Sequence, residues 1–202
     1  TSRRPLVFAI SCRIVTEWGD YVAFGGVAIR TIVFIACLEL PAILAELAGY
    51  GATADAFHVT APHENGEGGS AAMRMALTSA KATVDDLGYI SAHGTGTMLN
   101  DQSETRAVKA AFGQKAYEIP ISSTKSMTGH MMGATGALEA IFCVLAVREG
   151  ILPPTIHYET ADPECDLDYI PNNAREKQID LAISNAFGFG GHNAVLAIRK
   201  YK

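Results

Sequence analysis

From Ala42 onward, short apolar runs alternate with longer segments of helical periodicity, and this alternation limits the folds open to the chain. The apolar runs are of strand length. The longer segments repeat apolar residues at i, i+3 and i+4, as helices do when they pack on a sheet. Alternating strands and helices predict an α/β fold with a layered sheet.

The predicted elements begin with 43–52, which fits either a strand or a short helix by pattern alone and is interpreted as a strand. A loop at 63–69 and a helix at 70–82 follow, and the inner face of this helix comprises Ala72, Met73, Ala76 and Leu77. Further strands are predicted in "GYISAHG" (88–94), "EIPISST" (118–124), "LAISNAFG" (181–188) and "NAVLAIRK" (193–200).

Two more helices lie between these strands. One is expected to begin at a cap formed by Asn100 or Asp101, with Glu104 near its first turn and with Val108, Ala111 and Phe112 on its inner face. The other has small residues at its start, Gly150 at its end and Pro153-Pro154 beyond it. Its predicted inner stripe comprises Leu138, Ile141, Phe142, Leu145 and Ala146.

Composition and charge exclude several classes of protein. Hydrophobic residues make up 49% of the 202 residues and charged residues 18%, which is enough for a sizeable core. The net charge of −5 leaves no basic face for nucleic acid. The most apolar run, 31–38, is too short to cross a membrane and is interpreted as a buried strand. The four cysteines form no CxxC pair, which favours a reducing compartment.

Three polar loops each follow a predicted strand: "AHGTGT" (92–97), "STKSMTGH" (123–130) and "NAFGFGGHN" (185–193). Ligands of open α/β sheets gather beyond the carboxyl ends of the strands. We therefore expect these three loops to meet in one site.

Each residue of interest in these loops also has a purely structural interpretation. A lone histidine such as His93 or His130 is more often structural than catalytic, Lys125 could be solvated, and "GFGG" could be only a turn. Together, however, two histidines, a lysine and a loop of backbone N–H donors suggest acyl or carbanion chemistry more than a metal site. Glu139 is a candidate ion-pair partner of Lys125. His58 and His63 lack ligand-like spacing and are interpreted as surface residues.

Five motifs carry a resemblance to a known family: "AHGTGT", "NDQSET", "STKSMTGHMMGATGALEAI", "GILPPTIHYE" and "SNAFGFGGHN". In this order and spacing they resemble the C-terminal half of the β-ketoacyl-acyl carrier protein synthase II family, from about Ile43 to the C-terminus. The resemblance implies a thiolase-like fold, in which two similar α/β halves pack in five α-β-α-β-α layers around a shared active site. The small-residue helix, with Gly133, Gly136 and Ala137, would be a central buried helix.

The resemblance also implies roles for individual residues. His93 and His130 would be the catalytic histidines that stabilise an enolate, and Lys125 would organise the site through Glu139. The residues that would contact the substrate or its pantetheine arm are Thr95, Thr97, Phe189 and Gly190. Phe189 would be a gate whose N–H contributes to an oxyanion hole, and Phe187 would support the site.

The implied function is decarboxylative Claisen condensation of malonyl-acyl carrier protein with an acyl thioester, without cofactor or metal. Acyl carrier protein would be the partner, and a homodimer is expected when both halves are present, without nucleic acid or membrane. The expected location is the cytoplasm, or a plastid or mitochondrion in a eukaryote. The alternatives are a polyketide-type ketosynthase, a chain-length-factor relative, or a non-catalytic fragment or pseudoenzyme. The letters "STKSMTGH" favour the fatty-acid branch.

Two departures from the family stand out. The family's nucleophilic cysteine lies in a turn like "TACA" or "TACS", and none of Cys12, Cys37, Cys143 and Cys165 has such a context. Residues 1–40 also do not match the family, whereas 41–202 are interpreted as the synthase C-terminal domain. We interpret 1–40 as a frameshifted reading of the same gene region, with a divergent segment as the alternative.

Overall fold

The computed structural model describes residues 43–202, and the predictions for the first 42 residues, including the strand at 31–38, lie outside this range. Seven strands are present in the described part. They are β1 (Ala45–Ala54), β2 (Leu87–Ser91), β3 (Ile121–Ser122), β4 (Ile151–Leu152), β5 (Arg175–Glu176), β6 (Leu181–Gly188) and β7 (His192–Lys200). The strand interpretation of 43–52 is thereby confirmed, whereas the strand expected in "EIPISST" is reduced to two residues.

A five-stranded sheet has the order β1-β7-β6-β2-β3, and β4 and β5 form a separate pair. Strands β6, β2 and β3 are parallel neighbours, whereas β1, β7 and β6 pair antiparallel. Because β6, β2 and β3 run in the same direction, their carboxyl ends lie at one edge of the sheet. Of the polar loops predicted to form one site, 92–97 follows β2 and 123–130 follows β3, whereas 185–193 comprises the end of β6, the turn after it and the start of β7.

Four helices accompany the sheet: α1 (Glu67–Ser79), α2 (Met98–Phe112), α3 (Lys125–Thr128) and α4 (Thr135–Glu149). Side chains alternate across the sheet, so that Ile90 and Ile183 enter the core beneath α1 and α2 while Tyr89 and Ala182 enter the core beneath α4. The described region is therefore a three-layer α-β-α unit. The predicted α/β class is confirmed.

Helix α1 begins three residues before the predicted start at Ser70, inside the segment predicted to be a loop. The reason is close packing at two glycines. A Cβ at Gly68 would lie 2.0 Å from Oδ1 of Asp55, and a Cβ at Gly69 would lie 3.0 Å from the ring of Phe187. The glycines of this segment thus permit contact between the helix and its neighbours. The sequence analysis interpreted them as residues of a loop.

Helix α2 also begins earlier than predicted, and the expected cap at Asn100 or Asp101 is wrong. Thr97 occupies the N-cap position, and Asp101 donates its N–H to the carbonyl oxygen of Thr97 within the helix. The Asp101 side chain reaches back to accept the N–H of Gly96 at 3.3 Å. Glu104 consequently lies one turn deeper in the helix than predicted.

The buried face of α4 differs from the predicted stripe, of which only Ala146 is buried. The residues that face the sheet are Glu139, Ala140, Cys143, Ala146 and Val147. Leu138, Ile141, Phe142 and Leu145 lie half-buried on the other side. Because the helix is apolar all round, its periodicity could not decide which face the sheet covers.

An apolar outer face on α4 fits the central position that the family resemblance implies. Among residues 43–202, no helix combines the length and the apolarity needed to cross a membrane.

Candidate active site

The two candidate histidines lie together beyond the adjacent strands β2 and β3. Their ring centroids are 5.7 Å apart, and the rings meet edge to face at 86°. His93 follows the end of β2 by two residues and is 9% exposed. His130 follows α3 and is exposed. The two rings are therefore in contact, one from a buried position and the other from an exposed one.

The surroundings of the two rings set their protonation. Burial, followed by the positive charges of Lys125 and His130, lowers the pKa of His93 from 6.5 to about 3. His93 is therefore neutral at pH 7. The Nδ1 atom of His130 accepts the N–H of Met132 at 3.1 Å, so that in the neutral ring the proton is on Nε2. His130 can thus donate a hydrogen bond from Nε2 toward the site.

Lys125 and Glu139 form the predicted ion pair. Lys125 begins α3, and its Nζ lies 2.6 Å from Oε1 of Glu139 on α4. Both residues are buried. Burial raises the pKa of Glu139 to about 7, although the neighbouring lysine opposes the rise. The pair joins the histidine loop to α4.

The sequence predicted Glu104 only as a charge near the start of a helix. In the structure, its carboxylate also lies in the candidate site. Its two carboxylate oxygens accept the backbone N–H groups of His93 at 2.9 Å and Gly94 at 2.8 Å. Asn185 on β6 donates its side-chain N–H to Oε1 at 3.0 Å. Burial raises the pKa of Glu104, and these hydrogen bonds oppose the rise. Nothing in the local sequence pairs these residues, because the contact exists only through the fold.

The glycine-rich loop after His93 has backbone conformations suited to glycine. Gly94 has φ +38° and Gly96 has φ +75°, both in the range that L side chains rarely adopt. Thr95 and Thr97, predicted to contact substrate, have hydroxyl oxygens 3.0 Å apart.

A cavity of about 490 Å³ opens beside this loop. The residues that line it include Gly94, Thr95, Lys125, His130, Tyr158, Asp162, Cys165 and Tyr169. Three residues predicted from the sequence, Thr95, Lys125 and His130, therefore border the same open space.

The "GFGG" turn joins β6 to β7, and the structure places its Phe189 differently from Phe187 at the end of β6. The ring of Phe187 lies 5.9 Å from the His93 ring, between centroids. Phe189 is 71% exposed. Gly190 has φ +79° and donates its N–H to the carbonyl oxygen of Val59 at 2.6 Å. Phe187 is thus the aromatic residue in contact with a histidine, whereas Phe189 lies at the exposed tip of the turn.

The turn is held in place by a polar network that sequence reasoning missed. Asn193 donates to Oδ1 of Asp55 at 2.6 Å, and the Asp55 N–H bonds to the carbonyl oxygen of Gly191 at 2.9 Å. The other carboxylate oxygen of Asp55 accepts the N–H of His63 at 3.1 Å. His58 is exposed as predicted, whereas His63 is half-buried.

Two of the four cysteines lie in the described part of the chain. Cys143 is fully buried in α4, and burial raises the pKa of its thiol. Cys165 is half-buried at the cavity wall, and burial also raises the pKa of its thiol. A raised pKa leaves little thiolate at neutral pH, so neither thiol is activated.

Comparison with known proteins places this site in a family. The model of "Beta-ketoacyl synthase, C-terminal domain" matches residues 44–159. The 3-oxoacyl-[acyl-carrier-protein] synthase 2 of Staphylococcus aureus is 52% identical over 79% of this chain, and that of Synechocystis is 51% identical over the same share. The matches cover 39% and 38% of these relatives, so the chain spans about two fifths of the length of the curated relatives it matches.

Solved structures agree with this assignment. A ketosynthase in complex with a type II polyketide acyl carrier protein has a TM-score of 0.78 and 40% identity, over 80% of this chain and 40% of that one. The ishigamide ketosynthase/chain length factor has a TM-score of 0.76 and 42% identity, over 80% and 39%. The chain therefore belongs to the β-ketoacyl synthase family and carries the C-terminal half of a thiolase-like fold, of the 3-oxoacyl-acyl carrier protein synthase II type.

Proposed function

We propose that the chain provides the malonyl-activating half of a condensing enzyme for fatty-acid elongation. The observation that carries this proposal is the edge-to-face pair of His93 and His130 at 5.7 Å. Two imidazoles at this spacing can donate hydrogen bonds to a single thioester oxygen held between them. The similarity to 3-oxoacyl-acyl carrier protein synthase 2 at 52% identity supports this assignment.

The proposed reaction begins with loss of carbon dioxide from a malonyl thioester. The bond between the carboxylate and the α-carbon breaks, and its electron pair passes into the enolate of the thioester. Hydrogen bonds from His93 and His130 stabilise the negative charge that develops on the thioester oxygen. The enolate carbon then attacks the carbonyl carbon of an acyl thioester on a cysteine, and the cysteine sulfur leaves as thiolate.

The other site residues have supporting roles in this proposal. Lys125 and Glu139 hold the histidine loop through their ion pair. Thr95 and Thr97 contact the pantetheine arm, and Phe189 gates access, with its backbone N–H near the substrate oxygen. Phe187 packs against His93 and limits its rotation. The nucleophilic cysteine belongs to the other half of the active site.

Acyl carrier protein is the proposed carrier of both substrates. A structural relative with a TM-score of 0.78 is a ketosynthase in complex with such a carrier protein. A function in polyketide synthesis is the second candidate, because two similar structures are a polyketide ketosynthase and a ketosynthase/chain length factor. The fatty-acid reading is favoured by the higher identity, 52%, to the curated synthase 2 of Staphylococcus aureus.

The test is to supply the missing half and measure decarboxylation. The chain is co-expressed with the cysteine-containing N-terminal part of the Staphylococcus aureus relative, and release of carbon dioxide from malonyl-acyl carrier protein is measured. His93→Ala and His130→Ala should each reduce the rate by about 10² to 10³, because each removes a donor to the developing enolate.

A control histidine separates this effect from general damage. His157 is exposed and has φ +61°, and asparagine tolerates such a backbone conformation. His157→Asn should leave the rate unchanged. An unchanged rate in both His93→Ala and His130→Ala would overturn the assignment of these residues. A preference for polyketide carrier proteins over fatty-acid carrier proteins would favour the second candidate.

A further inference from the structure

Ser123 lies where three segments of the site meet, and each of its polar groups contacts a different partner. Its hydroxyl donates to the carbonyl oxygen of Gly94 at 2.6 Å. Its backbone N–H donates to Oγ1 of Thr155 at 3.1 Å. Its carbonyl oxygen accepts the hydroxyl of Ser126 at 2.8 Å. Ser123 thus joins the loop of His93 to the loop that carries Lys125 and His130.

The contact between the two loops is tight as well as polar. A Cβ added to Gly94 would lie 2.5 Å from Cβ of Ser123, so only a residue without a side chain fits opposite the serine. Glu104 holds the N–H groups of His93 and Gly94 from one side, at 2.9 and 2.8 Å. Ser123 holds the Gly94 carbonyl from the other side. The backbone of the short segment that follows β2 is therefore fixed through the N–H groups of His93 and Gly94 and through the carbonyl oxygen of Gly94.

We propose that Ser123 is a positioning residue, whose hydroxyl bond to Gly94 sets the separation of His93 and His130. The ring separation is a property of the folded chain, whereas its effect on catalysis rests on the proposed function. The serine touches neither imidazole, and it acts through the backbone of the loop that carries His93.

The neighbouring residue provides a matched comparison. Ser122 is equally small, is fully buried, and has its hydroxyl 2.8 Å from the hydroxyl of Tyr89. Because side chains alternate along a strand, Ser122 points into the core beneath α4 while Ser123 faces Gly94. Removing one hydroxyl or the other therefore perturbs neighbouring residues at the end of β3, but only Ser123→Ala should release the histidine loop.

The test on the chain itself uses nuclear magnetic resonance of the two imidazoles in the 202-residue chain. Ring protons of His93 and His130 should show direct through-space contacts in the wild type and in Ser122→Ala. These contacts should weaken or vanish in Ser123→Ala. Ser123→Thr keeps the hydroxyl and should restore them. Dispersed amide spectra in all variants establish that each one is folded.

Ser123→Cys is a second variant, with a thiol that donates more weakly than a hydroxyl. It should give contacts intermediate between those of the wild type and Ser123→Ala. Undiminished ring contacts in Ser123→Ala, or an equal loss in Ser122→Ala, would overturn the proposal.

A rate measurement with the cysteine half supplied gives the functional consequence. Ser123→Ala should lower kcat for decarboxylation by about tenfold to a hundredfold, the effect of a misplacement of about 1 Å, with little change in KM. Ser122→Ala should leave kcat within about twofold. A wild-type complex without activity would count against the proposed function, while the ring contacts would still decide the role of Ser123.

Discussion

The ammonium group of Lys125 lies 2.6 Å from Oε1 of Glu139, and water reaches only 4% of the lysine side chain and 2% of the glutamate side chain. Two charges are thus taken from water and placed in contact. A buried ion pair adds little net stability, but removal of one partner leaves the other charge uncompensated. This asymmetry makes the pair a sensitive point of the fold.

Lys125→Met is expected to lower the free energy of unfolding by about 3 kcal/mol at pH 7, because it leaves the Glu139 carboxyl without its partner. The pKa of Glu139 is already about 7 beside the lysine. Without the lysine, the carboxyl takes up a proton more readily, so the loss should be smaller at pH 5. Urea denaturation at the two pH values measures both quantities.

The double variant Lys125→Met/Glu139→Leu removes both charges and should recover stability to within about 1 kcal/mol of the wild type. Arg148 and Glu149 form a half-exposed pair at 3.0 Å and provide the control. Arg148→Met should cost no more than about 0.5 kcal/mol. A loss in Lys125→Met as small as that in Arg148→Met would contradict the prediction.

The pH dependence of stability should contain two opposing contributions. The pKa of Glu139 is raised from 4.5 to about 7, so the folded state binds a proton that the unfolded chain releases, and stability falls as pH rises through this range. The pKa of His93 is lowered from 6.5 to about 3, so stability falls as pH drops below 6.5. Each contributes about 1.4 kcal/mol per pH unit, and between pH 4.5 and 6.5 the two nearly cancel.

Single variants should separate these contributions. Glu139→Gln removes the contribution of Glu139, and the stability of this variant should fall steadily as the solution is acidified below pH 6.5. His93→Gln removes the contribution of His93, and the stability of this variant should rise as pH falls from 7 to 4.5. Urea denaturation at a series of pH values provides the measurement. Parallel pH profiles for the two variants would show that one or both pKa shifts are assigned to the wrong group.

Glu104→Gln is expected to destabilise the protein despite its similar shape. The carboxylate accepts backbone N–H groups with both oxygens. In glutamine, an amide nitrogen replaces one oxygen, so that its N–H donor would lie opposite a backbone N–H donor. One buried N–H of His93 or Gly94 then loses its partner, at a cost of about 1–3 kcal/mol. Amide hydrogen exchange at His93 and Gly94 should accelerate. Exchange unchanged at both amides would contradict the two-oxygen arrangement, and Glu118→Gln at an exposed position provides the control.

Neither cysteine within residues 43–202 should form an acyl-enzyme in the isolated chain. Cys143 is fully buried, and burial raises the pKa of its thiol. Cys165 borders the cavity, but its thiol pKa is also raised, and Asp162 adds negative charge nearby. Incubation with a radiolabelled acyl-carrier-protein thioester, followed by denaturation, should leave no stoichiometric label on either of these cysteines. One label per chain that is lost in Cys165→Ser would refute this prediction.

Local sequence was sufficient to predict the features that depend on periodicity and motif. The meeting of His93 with His130 follows from polar residues placed just after strands, and Glu139 was a candidate partner of Lys125 on the same grounds. Strand β1 was the favoured interpretation of a segment whose pattern also fitted a short helix. These features are local, or follow from the rule that parallel strands end at one edge. The family resemblance added the roles of these residues but not their distances.

The remainder of the site depends on contacts that no local pattern encodes. Glu104 looks like an ordinary helix charge until the fold brings its carboxylate to the backbone of His93. Asp55 and Asn193 are far apart in the chain, and their contact fixes the "GFGG" turn. In α4, apolar residues surround the helix, so the pattern could not identify the face that packs on the sheet. In each case the missing information is tertiary.

The pairing of β2 with β3 aligns Ile90 with Ile121 and Ser91 with Ser122, and this alignment has a consequence for how the gene can vary. A substitution in either strand changes one contact. A single inserted or deleted residue in β3 would instead exchange the faces of Ser122 and Ser123, and would displace Lys125 along with them. We infer that the segment from Leu87 to His130 tolerates substitutions far better than insertions or deletions. Evolution can therefore change residues in this segment more freely than it can change the spacing between them.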